Sequence, residues 1–148
     1  MEKKTVHERC LWLVQQKIEE TAAAIGEAQR AANEETKSSA GDKYETGRAM
    51  MHLEQEKLAG QRANALQLKK VLAQIDPSLS LAQVGLGSLV QTSRGWFYVA
   101  VGLGQVEVNG TFCFVISPAA PLGKALWGKQ AGEEAAFSKE TIQIITVR

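Results

Sequence analysis

From Thr5 to Asn33, apolar or small residues recur at alternating intervals of three and four: Leu11, Val14, Ile18, Thr21, Ile25, Ala28 and Ala32. That spacing lays a narrow apolar stripe along a helix, with Glu, Gln, Lys and Arg on the other faces. A second stripe, Met51, Leu58, Ala65, Leu68, Leu72 and Ile75, runs through a helix predicted from Asp42 to Ile75, with Glu54 and Gln61 as polar interruptions. Met50, Leu53 and Leu66 widen this stripe on one side, as packing on a further surface would require. Neither segment contains proline, and the short run Ser38-Ser39-Ala40-Gly41 lies between them. Two helices joined by so short a link fold back as an antiparallel hairpin. The small seam residues Thr21, Ala28 and Ala32 predict a close approach of the two arms toward the bend.

Asp76-Pro77-Ser78 ends the second helix, because proline disfavours helix in the residue before it and cannot continue one. Beyond it the apolar period shortens to that of strands, predicted at Ser88 to Gln91, Gly95 to Val101, Gln105 to Val108, Thr111 to Ser117 and Thr141 to Val147. Gly85, Gly87, Gly102, Gly104 and Gly110 punctuate them, and Asn109-Gly110 reads as a hairpin turn. A short helix fits from Leu122 to Trp127, before Gly128. The expected fold is α+β. An N-terminal antiparallel coiled-coil helical hairpin over residues 1–76, with an acidic tip near 38–46, is followed by a small, mostly antiparallel β domain with one short helix over residues 77–148.

Composition sharpens this division. Residues 1–76 carry 12 Lys+Arg and 12 Asp+Glu, against 5 and 4 in residues 77–148. The first half is thus charge-dense but balanced, as a solvated helical pair should be. A net charge of +1 over 148 residues argues against a protein that grips nucleic acid by neutralising phosphates. Cys10 and Cys113 show neither paired nor metal-type spacing and read as buried reduced thiols. The apolar run from Leu11 to Val14 is too short for a signal-peptide core or a membrane span. A soluble cytoplasmic monomer is expected.

Candidate chemistry centres on Asp42-Lys43-Tyr44-Glu45. Asp at a helix start with Glu three residues on is a capping-box arrangement, found wherever a helix must begin. The same two carboxylates, three apart on a helix, can also supply part of the oxygen shell of a magnesium ion, with a partner providing the rest. The residues alone leave both readings open. His7 and His52 lack a second ligand at helical spacing. Gly85-Leu86-Gly87 and Gly102-Leu103-Gly104 are turn residues and not a dinucleotide fingerprint. Trp96-Phe97-Tyr98 alternates faces on a strand and reads chiefly as core.

Two patches resemble the bacterial Gre transcript-cleavage factors, which bind RNA polymerase. Gly41-Asp42-Lys43-Tyr44-Glu45-Thr46 is similar to the family's tip sequence Gly-Asp-Leu-Ser-Glu-Asn. Ala120-Pro121-Leu122-Gly123-Lys124-Ala125-Leu126-Trp127-Gly128-Lys129, with Gly132-Glu133 beyond, is similar to its Ser-Pro-Ile-Ala-Arg-Ala-Leu-Ile-Gly-Lys followed by Gly-Asp. The resemblance implies a coiled coil that enters the polymerase secondary channel and an FKBP-like C-terminal domain that docks near the channel mouth. It implies that Asp42 and Glu45 help to hold a catalytic Mg2+ in the polymerase active site. There the polymerase, and not this chain, hydrolyses backtracked RNA by two-metal chemistry. Nucleic acid would then be met only through the polymerase complex. Lys43 and Tyr44 depart from the family's Leu and Ser, Thr46-Gly47-Arg48 from its Asn-Ala-Glu, and Ala120 from its serine. Channel binding that inhibits or retunes the polymerase is the alternative. An FKBP-like prolyl isomerase and a coiled-coil adaptor without tip chemistry are further readings, and fold alone is a poor warrant for the first.

Overall fold

The computed structural model of the chain describes the backbone of residues 1–38 and 42–148 and the side chains of residues 1–34 and 46–148. Its elements are α1 (Lys3–Ser38), α2 (Asp42–Ala73), β1 (Leu89–Thr92), β2 (Gly95–Val99), β3 (Gly104–Val108), β4 (Thr111–Ile116), α3 (Pro121–Leu126), β5 (Glu134–Phe137) and β6 (Glu140–Val147). The architecture is α+β, with two long helices and then a six-stranded sheet and a short helix, as the sequence pattern predicts. The chain forms two compact units, Leu13–Lys69 and a second that joins Met1–Trp12 to Lys70–Arg148. Pro77 marks the break in helix, whereas the compact units divide at Leu13 and Lys69.

In the unit Leu13–Lys69, the two helices run antiparallel. The Lys69 ammonium donates to Gln15 Oε1 at 2.9 Å, and Gln55 donates to Gln29 Oε1 at 3.3 Å. The two bonds lie fourteen residues apart on each arm, two heptads, so one register is kept between them. The seam buries Val14, Ile18 and Thr21 of α1 against Leu58 and Ala65 of α2. Thr21 turns its hydroxyl back onto its own helix, within bonding distance of the carbonyls of Lys17 and Ile18, so this hydroxyl is not stranded in the seam. Toward the bend, Ile25, Ala28 and Ala32 are only half-buried.

In the other unit the strand order is β3-β4-β2-β1-β6-β5. Every pairing is antiparallel except β2 with β4, which run parallel from Trp96↔Cys113 to Val99↔Ile116. Asn109 and Gly110 both take positive φ, 50° and 80°, which is the paired left-handed turn that Asn-Gly favours between β3 and β4. Side chains alternate between two buried faces. One face sets Val90, Phe97, Val99 and Ile144 against Val84, Leu126 and Ala135, with Leu122 of α3 packed on them. The other buries Leu89, Tyr98, Cys113 and Val115, and the first turns of α1 bring Val6, His7 and Cys10 to the same interior.

The sequence pattern does not announce strand β5. It reads Glu-Ala-Ala-Phe, buries only Ala135 and sits at the sheet edge, so neither β-branched residues nor a clean alternation announced it. The end of α2 comes at Ala73, two residues before the expected Ile75. There the amides of Gln74 and Ile75 reach back three residues, to Val71 and Leu72, and the last turn tightens before Pro77.

Candidate functional site

The first helix ends at Ser38 and the second begins at Asp42. The cross-arm pairs 15–69 and 29–55 are both centred on residue 42, so the register of the arms agrees with a reversal at this point of the chain. Asp42 and Glu45 belong to the first turn of α2. Backbone positions three apart in a helix share a face, and carboxylates near a helix N-terminus meet its unpaired amides and positive dipole end. The side chains of both acids lie outside the described residues. Among the described residues, no group of three or more His, Cys, Asp or Glu is arranged to hold a metal.

Of the described side chains that follow on α2, Met50 and Leu53 are 67% and 65% accessible, so this part of the widened stripe is exposed among the described residues. His52 Nε2 lies 3.1 Å from Glu56 Oε1 on the exposed surface, one helical turn away.

The second patch of resemblance forms α3 and its exit. Pro121 occupies the first turn, where its missing amide costs nothing. Gly123 is buried, and a Cβ there would run into the Ser117 carbonyl, so the helix lies tight on the segment leaving β4. Trp127 closes the helix by donating its amide to Gly123, and Gly128 follows at φ 78°. The Trp127 ring, 48% accessible, borders an open groove of about 500 Å3 with Leu81, Val84 and Gln130. Phe112 and Phe114 of β4 are also solvent-facing, and Phe114 stacks on Phe97. Trp96-Phe97-Tyr98, which the sequence pattern reads chiefly as core, is core at Phe97 and Tyr98, and Trp96 is half-covered beneath the Arg148 guanidinium.

His7 is buried, with Nδ1 2.7 Å from the Tyr98 hydroxyl. Burial lowers the His7 pKa from its ordinary value, and Lys3 adds to that while Glu8 opposes it. Burial also raises the Tyr98 phenol and pushes the Cys10 and Cys113 thiols up to about 12. All four groups are therefore kept in their neutral forms at physiological pH, as members of a packed interior and not as nucleophiles.

No protein-family model and no curated protein matches the chain. Among solved structures, it is similar to that of the transcription factor Gfh1, at 20% identity with a TM-score of 0.38, over 94% of this chain and 93% of that one. It is also similar to the GreA factor homolog 1 (Gfh1) protein of Thermus thermophilus, at 18% identity with a TM-score of 0.34, over 93% and 94%. No helix among the described residues is long and apolar enough to cross a membrane.

Proposed function

We propose that this chain is a transcription elongation factor of the Gre type. Its helical hairpin enters the secondary channel of RNA polymerase, and residues 77–148 dock on the polymerase outside it. Asp42 and Glu45 are carried to the polymerase active site, where they help to hold a catalytic Mg2+. Two carboxylates from one helical turn are hard oxygen donors of the kind magnesium accepts, in a shell otherwise filled by water and phosphate. The ion supplies charge stabilisation and an activated water, and the chain contributes ligands to a reaction that the polymerase performs. The reading is carried by one observation: both acids open the second arm of an antiparallel hairpin, where the two arms meet. The Gre-like run around Pro121 supports it from the other half of the chain.

Lys43 favours a second reading. A cation between the two acids weakens their hold on a metal ion without impairing entry into the channel. In that case the hairpin occupies the channel and inhibits or retunes the polymerase. Addition of the purified chain to a backtracked polymerase complex with magnesium separates the two. Shortened RNA that disappears with Asp42→Asn plus Glu45→Gln, while binding to polymerase persists, is the expected result. Inhibition that survives the double substitution selects the second reading. A chain that fails to bind polymerase overturns both.

A further inference from the structure

Beside the start of α1, inside the unit that contains the sheet, lies a recess of about 170 Å3. Its walls are aliphatic: Ile75, Leu79, Leu81 and Leu86. Two charged side chains also line it, Lys3 and Asp76. Lys3 is 93% buried, an unusual state for a lysine, which keeps its ammonium in water unless something holds it inside. Its Nζ donates to the Leu79 carbonyl at 2.5 Å, which engages one of three protons. Asp76 Oδ1 accepts from the amide and the hydroxyl of Ser78, at 2.9 and 2.6 Å, and Oδ2 takes neither bond. The two charges influence one another electrostatically, yet no ion pair among the described residues joins them.

From this arrangement we infer that the recess binds a free aliphatic amino acid of about the size of leucine. The ligand carboxylate meets Lys3, its ammonium meets Asp76, and its side chain lies among Ile75, Leu79, Leu81 and Leu86. The alternatives fit less well. A simple anion would be repelled by Asp76, and a simple amine by Lys3. A nucleotide or other large cofactor exceeds the space, since pockets for such ligands start at roughly 300 Å3. A zwitterion satisfies both charges at once, Lys3 inside the recess and Asp76 on its solvent-exposed rim. Leu79 and Leu86 are solvent-exposed and would be partly covered by the ligand. The inference does not depend on the role proposed for Asp42 and Glu45.

Titration calorimetry on the full chain tests it, with L-leucine as the probe and isocaproate, isoamylamine and glycine as controls. These lack the amine, the carboxylate and the aliphatic side chain respectively. Saturable binding of leucine is expected, with each control weaker by about tenfold or more. Asp76→Asn retains an acceptor for Ser78 and should bring leucine and isocaproate to equal affinity. Lys3→Met should abolish binding, with its melting temperature checked in parallel. Should Lys3→Met not fold, the Asp76→Asn comparison decides alone. Absence of saturable heat up to about 10 mM leucine overturns the inference. So does equal affinity for leucine and its single-charge analogues, or wild-type discrimination in Asp76→Asn.

Discussion

At the scale of single residues, the pair His7 and Tyr98 shows how an interior polar group is stabilised. The His7 Nδ1 and the Tyr98 hydroxyl share a buried hydrogen bond of 2.7 Å whose direction the imidazole tautomer sets. Tyr98→Phe deletes one partner and leaves the ring nitrogen unmatched in the interior, which costs about 1–3 kcal/mol, read as a lower denaturant midpoint. The same burial sets a pH dependence. His7 titrates lower in the folded chain than its ordinary 6.5, so between the two values the unfolded state binds more protons. Its stabilising contribution is complete above 6.5 and is lost as pH falls through the depressed folded value. Denaturant midpoints taken from about pH 7.5 down to about pH 5 should fall, and His7→Gln should flatten that part of the profile. Gly123 gives a purely steric counterpart. Its backbone φ is ordinary, but a methyl group would collide with the Ser117 carbonyl, so Gly123→Ala should cost about 1–3 kcal/mol through overpacking.

At the scale of elements, the hairpin seam makes a contrast between neighbours. Ala65 is 1% exposed and sits where the arms approach closely, so Ala65→Leu should destabilise the chain by about 1–3 kcal/mol. Leu53, an apolar residue on the same helix, is largely exposed, and Leu53→Gln should change stability by no more than about 0.5 kcal/mol. Thermal melts of the two variants check both. This contrast also marks what the pattern along the chain could reveal. The 3-4 spacing identified Val14, Ile18, Thr21, Leu58 and Ala65 because a two-helix seam imposes a period that local residues must obey. The same stripe continues backward through Cys10, His7 and Lys3, but polar residues there hid it. Their burial depends on strands nearly a hundred residues away, which no local period records. Strand β5 escaped for a related reason. Its turn to β6 places Ser138 and Lys139 at φ 50° and 66° without the glycine that marks such turns. At the candidate tip, residue types and spacing alone were legible, because carboxylates that cap a helix and carboxylates that bind a metal share one pattern.

At the scale of the whole molecule, the decisive fact is that the sheet unit is assembled from both ends of the long helices. Met1–Trp12 and Lys70–Ala73 belong to it, and with them Val6, His7, Cys10 and Leu72, all buried. A fragment of residues 77–148 lacks these side chains and would expose Leu89, Tyr98, Cys113 and Val115, which are fully buried in the intact chain. An isomerase assay on that fragment would therefore test an incomplete fold. The appropriate piece joins residues 1–12 to 70–148 through a short Gly-Ser linker, a feasible splice because Gln15 and Lys69 already bond across the arms. Thiol labelling distinguishes the two fragments. Burial pushes the Cys113 thiol up to about 12, so its reactive thiolate is scarcer in the fold than in an unfolded chain. In the spliced piece, as in the intact protein, buried Cys10 and Cys113 should resist a thiol reagent. In the fragment 77–148, Cys113 should react at the rate measured in denaturant. Equal protection in both fragments would show that the helix ends add nothing to the interior around Cys113.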